Sequence, residues 1–145
     1  MIMTSAPPLA IRSAEPGDRE QVSGLWVAAG LAPATADEWN ALMIGGTTGV
    51  LVAEEGGRVV AAVVSASDGW RAYIYHLAVA EDHRRRGIGQ RLMADAEQQL
   101  LSTGARHVFV AIHQENTEGL ALAGTMGYLP EGEIVLAKRL ATRAE

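Results

Sequence analysis

The chain has 145 residues, 48% hydrophobic and 20% charged, proportions of an ordinary globular protein with room for one sizeable core and too little for two. Its formal net charge of -5 argues against a nucleic-acid partner, because that affinity needs a basic surface that neutralises many phosphates. Cysteine is absent, which excludes disulfides, thiolate metal sites and a cysteine nucleophile together.

Residues 1–8 read as a loosely attached tail without the basic and apolar regions of a signal peptide. No apolar run approaches the roughly 20 residues of a membrane span, so a cytoplasmic protein with no membrane partner is expected. A first strand is expected at 9–12. Asp18 and Gln21 predict the start of a helix whose apolar side is Val22, Leu25 and Trp26, ending at Gly30. Thr35 and Glu38 form a capping-box pattern that opens a second helix, with Trp39, Leu42 and Met43 on its apolar side and Gly45 and Gly46 at its end. Apolar runs at 50–53 and 59–64 flank Gly56 and Gly57, a hairpin signal because glycine accepts positive φ. A turn at Asp68 and Gly69 leads to a strand over 73–79, completing an antiparallel meander.

Strand parity places Ala72, Ile74, His76 and Ala78 on one side of that strand and Tyr73, Tyr75, Leu77 and Val79 on the other. The next helix carries Ile88, Leu92, Met93, Ala96 and Leu100 on one face and closes at Gly104. A fifth strand is predicted at 107–112, parallel to the one before because a helix joins them. A short helix over 117–126 closes at Gly127, and strands from Tyr128 and over 134–140 complete the sheet. The chain thus reads as one mixed α/β (α+β) domain over 1–145.

The stretch that organises these elements joins the strand 73–79 to the long helix. Arg84, Arg85 and Arg86 are followed by Gly87, Ile88 and Gly89, and the helix opens at once. The first turn of a helix has N–H groups without internal partners, and its dipole adds partial positive charge. Glycine lets an anion reach that backbone, and arginine supplies planar forks of donors. Three adjacent arginines in an acidic chain point to a small anionic ligand; the plain alternative is a solvated loop closing a βα junction. A Walker loop is excluded because the lone lysine is Lys138, and a dinucleotide fingerprint because Leu92 stands where its third glycine belongs.

Arg84 to Gly89, preceded by Leu77, Ala78 and Val79 and followed by an amphipathic helix, resembles the acetyl-CoA signature Gln/Arg-x-x-Gly-x-Gly/Ala of the GNAT (GCN5-related) N-acetyltransferases. The element order resembles that family over nearly the whole chain. The segment from Val52 to Leu140 most resembles its small stand-alone bacterial YpeA-like members. The resemblance implies a mostly antiparallel sheet of about 6–7 strands flanked by about four helices, with strands four and five splayed apart. It implies acetyl-CoA as cosubstrate, with the backbone of Leu77, Ala78 and Val79 on the pantetheine and Arg84, Arg85, Arg86, Gly87, Ile88, Gly89 and Gln90 around the pyrophosphate. Asn116 matches a position often used on the cofactor; an ordinary helix cap is the equal alternative. The acceptor would be a primary amine of a small molecule, protein N-terminus or lysine, and a homodimer stays open because dimers are common among relatives.

Acetyl transfer to an amine asks for a neutral amine, a stabilised carbonyl oxygen and a proton for the departing thiolate. The resemblance puts a backbone N–H near Val79 at the oxygen. It also puts a tyrosine acid where this chain has Ala123; Thr125 lies about 200° round the helix and cannot replace it. A non-catalytic acyl-CoA-binding domain is therefore the alternative function. For the base, His76 has a suitable ordinary pKa near 6.5, beside the alternative of a structural histidine. Tyr75 and Glu81 are further candidates, with His113 and Glu115 more distant. Four histidines without paired spacing give no metal site. Trp26, Trp70 and Tyr73 are candidates for acceptor contact, Trp26 with a core alternative and Trp70 at a turn.

Overall fold

The structure of the protein, a computed structural model, describes residues 8–142. Most of the expected N-terminal tail lies outside the described residues, and Pro8 is exposed coil. The elements are β1 (Leu9–Ser13), α1 (Arg19–Ala28), α2 (Ala36–Ile44), β2 (Thr48–Glu55), β3 (Arg58–Ser67), β4 (Ala72–Val79), α3 (Ile88–Ser102), β5 (Val108–Val110) and α4 (Thr117–Thr125). The strands form one sheet in the order β1-β2-β3-β4-β5, antiparallel except for the parallel β4–β5 pair.

Local chemistry accounts for most boundaries. Thr35 Oγ1 accepts the Glu38 N–H at 3.1 Å and the Glu38 carboxylate accepts the Thr35 N–H at 2.9 Å, so α2 begins with a complete capping box. Gly56 and Gly57 have φ of 59° and 80°, the left-handed pair that a two-residue hairpin needs between β2 and β3. At α1 the expected cap differs. The Asp18 carboxylate accepts no N–H of α1; it accepts the Glu15 N–H at 2.7 Å and grips Arg12 at 2.7 Å, while Arg12 also holds Glu54 at 2.7 Å. A charged partner on β1 has outbid the helix's own N–H groups, and a 3-10 turn at Pro16–Asp18 leads into α1.

Two cores lie on opposite faces of the sheet. Val22, Trp26 and Trp39 of α1 and α2 pack on Val50, Val52, Ala62, Val64 and Ala78. Ile88, Leu92, Met93, Ala96 and Leu100 of α3 pack on Leu51, Ala53, Val60, Val63, Ala72 and Ile74. With both faces covered, β3 is buried almost throughout and reads as a continuous apolar run.

Two expectations are corrected. The sheet has five strands among the described residues rather than about 6–7: nothing after α4 forms a strand, and β5 is the last in the sheet. The Tyr128 N–H closes onto the Ala123 carbonyl at 3.0 Å, and the chain beyond runs exposed. An apolar run defines a strand's chemistry but not its partner, and pairing is a non-local event. The simple alternation of β4 also fails. Its register on β3 slips between Ala62 and Val64, and His76 has φ of 57°. This β-bulge shifts parity, so Ala72, Ile74, Leu77 and Val79 pack on the α3 side and Tyr75 and Ala78 on the other.

Candidate active site

β5 accompanies β4 only from Ala72 to Ile74, and the last bond between them runs from the Ala111 N–H to the Ile74 carbonyl at 3.2 Å. From there β4 stays on β3 while β5 diverges. The gap is a cavity of about 1100 Å³. Its walls carry Tyr75, His76, Leu77, Ala78, Val79, Arg84, Arg85, Gly87, Ile88, Gly89, Gln90, Asn116 and Ala123. Most of the residues expected around the cofactor therefore line one cavity.

The orientation of the exposed β4 edge follows from one bond. The Ala80 N–H donates to the Val60 carbonyl at 2.7 Å, toward β3. Groups of alternate residues in a strand point to opposite sides, so those of Val79 face the opened side. There the Arg84 Nε donates to the Val79 carbonyl at 3.2 Å, leaving the Val79 N–H directed into the gap.

At the end of β4 a 3-10 turn at Glu81–His83 leads to the arginines. Arg85 has φ of 65° and Gly87, the N-cap of α3, has φ of 78°. The first α3 bond in this turn runs from the Arg91 N–H to the Gly87 carbonyl at 3.1 Å. The N–H groups of Ile88, Gly89 and Gln90 thus belong to the unpaired first turn, at the positive end of the helix dipole. Nothing lies within 4 Å of where a Cβ on Gly87 would stand. The loop is open on this side, and its first-turn N–H groups would fit a pyrophosphate. Gly89 has a second reason to be glycine: a Cβ there would meet Leu122 at 3.3 Å, Val79 at 3.6 Å and Leu77 at 3.7 Å. Its smallness lets α3 start close against β4 and α4.

A charged clamp, not anticipated from the sequence, fixes the base of this loop. His83, only 6% exposed, places Nδ1 at 2.9 Å from Asp82 and Nε2 at 2.9 Å from Glu55. Both partners are acceptors, so both nitrogens donate and the ring is an imidazolium. Hydrogen bonds to Asp82 and then Glu55 raise its pKa above the ordinary value. Asp82 in turn receives Arg58 at 2.9 Å and its carboxyl is held well below the usual range, chiefly by Arg58 and then His83. The clamp ties the β2–β3 hairpin to the cradle. His83 adjoining the arginines is visible in sequence; its reach to Glu55 is a tertiary fact.

His76 sits at the bulge. Its carbonyl accepts the Trp26 Nε1–H at 2.8 Å, and its Nε2 lies 3.2 Å from the Ala32 carbonyl. A carbonyl only accepts, so Nε2 carries the proton and Nδ1 is the basic nitrogen of the neutral ring. Burial pushes the pKa of His76 below its ordinary value, opposed in part by the Ala32 bond. Trp26 and Tyr75 pack edge-on to the ring at 5.0 and 5.6 Å between centroids. Burial raises the Tyr75 phenol, keeping it protonated at neutral pH.

Other expected residues fall elsewhere. Trp26 is buried behind the cavity, where it supports His76. Trp70 is 83% exposed at the turn before β4, and Tyr73 stacks on Phe109 at 5.5 Å near the closed end of the β4–β5 pair. Glu81 and Arg86 are exposed in the turn and loop and lie off the cavity wall. Asn116 caps α4, its Oδ1 accepting the Gly119 N–H at 2.9 Å, and also lines the cavity. Ala123 faces the cavity without a polar atom, and the nearby Tyr128 hydroxyl donates to Glu97 at 2.5 Å instead. His113 and Glu115 also line the cavity. Among the described residues no cluster of His, Asp and Glu could hold a metal, and no helix is long and apolar enough to cross a membrane.

A mixed sheet that parts between two parallel strands, above a glycine-opened helix N-terminus, is the architecture of the acyl-CoA acetyltransferase folds. The sequence model of the Acetyltransferase (GNAT) family matches residues 19–128, and the chain belongs to that family. An acetyltransferase of Yersinia pestis is 31% identical over 90 residues, covering 62% of this chain and 64% of that protein. An acetyltransferase of Pectobacterium atrosepticum is 32% identical over the same shares. The chain thus spans less than two thirds of the curated relatives it matches. Among solved structures, an aminoglycoside acetyltransferase from an uncultured soil metagenomic sample, in complex with sisomicin, has 22% identity and a TM-score of 0.77, covering 92% of this chain and 97% of that one. An aminoglycoside N-acetyltransferase in complex with CoA has 14% identity and a TM-score of 0.77, covering 97% and 100%. At these identities the likeness shows the fold.

Proposed function

We propose that the chain is an N-acetyltransferase that passes an acetyl group directly from acetyl-CoA to a primary amine, of a small molecule or of a protein N-terminus or lysine. The observation that carries this reading is the gap between β4 and β5 opening onto the left-handed Arg85–Gly87 loop. In this reading the N–H groups from Gly87 to Gln90, with the Arg84 and Arg85 side chains, hold the pyrophosphate. The free edge of Leu77, Ala78 and Val79 takes the pantetheine, and Asn116 flanks it. Bound acetyl-CoA supplies the activated thioester.

The chain's own groups do the rest. The Val79 N–H, facing the gap, donates to the carbonyl oxygen as negative charge grows there. His76, neutral near pH 7 because burial lowers its pKa, takes the amine proton at Nδ1, directly or through water. Tyr75 is the one phenol on the cavity wall among the described residues. It carries its proton at neutral pH, its pKa raised by burial, and its place on the cavity wall makes it our donor to the leaving thiolate, in place of the residue missing at Ala123. Trp26 acts by holding the His76 carbonyl rather than by touching the acceptor.

Ala123 favours a second reading, an acyl-CoA-binding domain without turnover: it is 6% exposed on the cavity wall and supplies no proton. Calorimetry with acetyl-CoA and thiol release across an amine panel separate the two. Binding with release supports transfer, binding without release supports the second reading, and absence of binding defeats both.

A further inference from the structure

Four charged side chains lie under the loop that leads into α3. Arg58, at the start of β3, donates to Asp82 through both terminal nitrogens, at 2.9 and 3.2 Å. His83 places Nδ1 at 2.9 Å from Asp82 and Nε2 at 2.9 Å from Glu55, the last residue of β2. The charged groups that face His83 are therefore Asp82 from its own turn, Glu55 from β2, and Arg58 from β3 behind Asp82. With the ring an imidazolium, two cations meet two anions and the charges cancel. With the ring neutral, the same four groups carry a net negative charge.

That charge stands at the candidate site. His83 lines the cavity, and so do Arg84 and Arg85, the next two residues in the chain. An exposed pair such as Arg58 with Asp82 contributes little by itself. The contact of His83 with Glu55 is the buried one, and solvent and salt screen it less. A neutral imidazole has a single N–H, so one carboxylate would face a bare ring nitrogen. Loss of the proton thus acts twice in the same direction: it sets a negative charge beside an anion's place, and it loosens the loop from the β2–β3 hairpin.

We propose that His83 is a positioning residue for acyl-CoA: protonated, it holds Arg84 and Arg85 in place on the β2–β3 hairpin, and its deprotonation weakens acyl-CoA binding. The inference rests on the acyl-CoA reading of the cavity. Coupling of this kind is reciprocal, so binding draws a proton onto His83. Its hydrogen bonds to Asp82 and Glu55 hold its pKa above the ordinary value, and affinity falls as pH rises through that raised value. Two other titrations lie on the acid side. Burial lowers the pKa of His76, and a phosphate monoester gains its second charge near pH 6, which tightens binding as pH rises.

Calorimetric titration of the full chain with acetyl-CoA, between about pH 6 and 10, tests the proposal. Kd should rise by at least about fivefold toward the alkaline end, the lower range of coupling between sites. Buffers of different ionisation heat should show proton uptake on binding. His83→Gln should bind at the acid end as weakly as the wild type does at the alkaline end, with neither an alkaline limb nor proton uptake. Glu55→Gln, which leaves the ring an oxygen but removes a carboxylate, should move the limb to lower pH. A residue that only supports the fold would change melting temperature without changing these profiles. A wild-type Kd that is flat over the range overturns the proposal, as does a limb that survives in His83→Gln, where His76 and His113 remain. Absence of acetyl-CoA binding at every pH defeats the acyl-CoA reading itself, and the inference with it.

Discussion

Gly87 allows backbone strain, steric space and anion binding to be separated. Its φ of 78° lies where L-residues are disfavoured, while a Cβ there would meet nothing within 4 Å. Gly87→Ala therefore costs strain without a clash, about 1–2 kcal/mol. Gly69 is the matched control: φ is 93°, nothing lies within 4 Å, and the turn is away from the cavity. Both variants should lose the same stability, roughly 3–8 °C in melting temperature for a chain of this size. They should part on acetyl-CoA. In Gly87→Ala the added Cβ stands in open space on the cavity wall, where glycine lets an anion reach the backbone, so calorimetry should read a roughly 5–30-fold weaker Kd. Gly69→Ala should bind as wild type. If Gly87→Ala binds acetyl-CoA unchanged while destabilised like its control, the cradle reasoning is refuted; if neither variant is destabilised, the strain reasoning is.

Three further outcomes follow from particular contacts. Trp26→Phe removes the 2.8 Å bond to the His76 carbonyl, whereas the indole N–H of Trp39 is buried without a partner. Chemical denaturation should show Trp26→Phe costing about 1–3 kcal/mol more than Trp39→Phe, the penalty of the stranded carbonyl, and only Trp26→Phe should alter turnover through His76. The His83 clamp makes stability depend on pH with a definite sign. Its folded pKa is raised, so its contribution is complete below the ordinary value near 6.5 and is lost as pH rises through the raised one. The melting-temperature gap between wild type and His83→Gln should accordingly narrow in alkaline buffer; a gap that widens there contradicts the imidazolium assignment. His76 carries the opposite shift. The acid limb of kcat/KM should fall below pH 6.5 and vanish, with a loss of roughly 10²–10⁴-fold in rate, in His76→Ala.

Much of the fold was legible because the deciding chemistry is local. Thr35 with Glu38, and Gly56 with Gly57, mark a helix start and a hairpin that need no distant partner. The backbone of the loop was legible for the same reason: Gly87 sits where strand pattern gives way to helix pattern, and the left-handed turn follows. Failures came where a distant residue decides. Asp18 looks like a cap until Arg12 on β1 claims its carboxylate. The parity of β4 looks regular until the bulge at His76 displaces it. Glu55, a hairpin residue by pattern, completes the His83 clamp through folding alone. Residues 134–140 carry strand chemistry, but a strand needs an edge to pair with, and among the described residues they stay outside the sheet.

The central claim is transfer, and product formation tests it most directly. The full chain is incubated with acetyl-CoA and a panel of primary amines covering aminoglycosides, polyamines and peptide N-termini, with thiol release followed in time and the amine products identified by mass spectrometry. The account predicts thiol release that depends on one amine class, a matching acetylated product, and a fall in kcat in Tyr75→Phe with acetyl-CoA still bound. Tight acetyl-CoA binding with no acetylated product from any amine would contradict it.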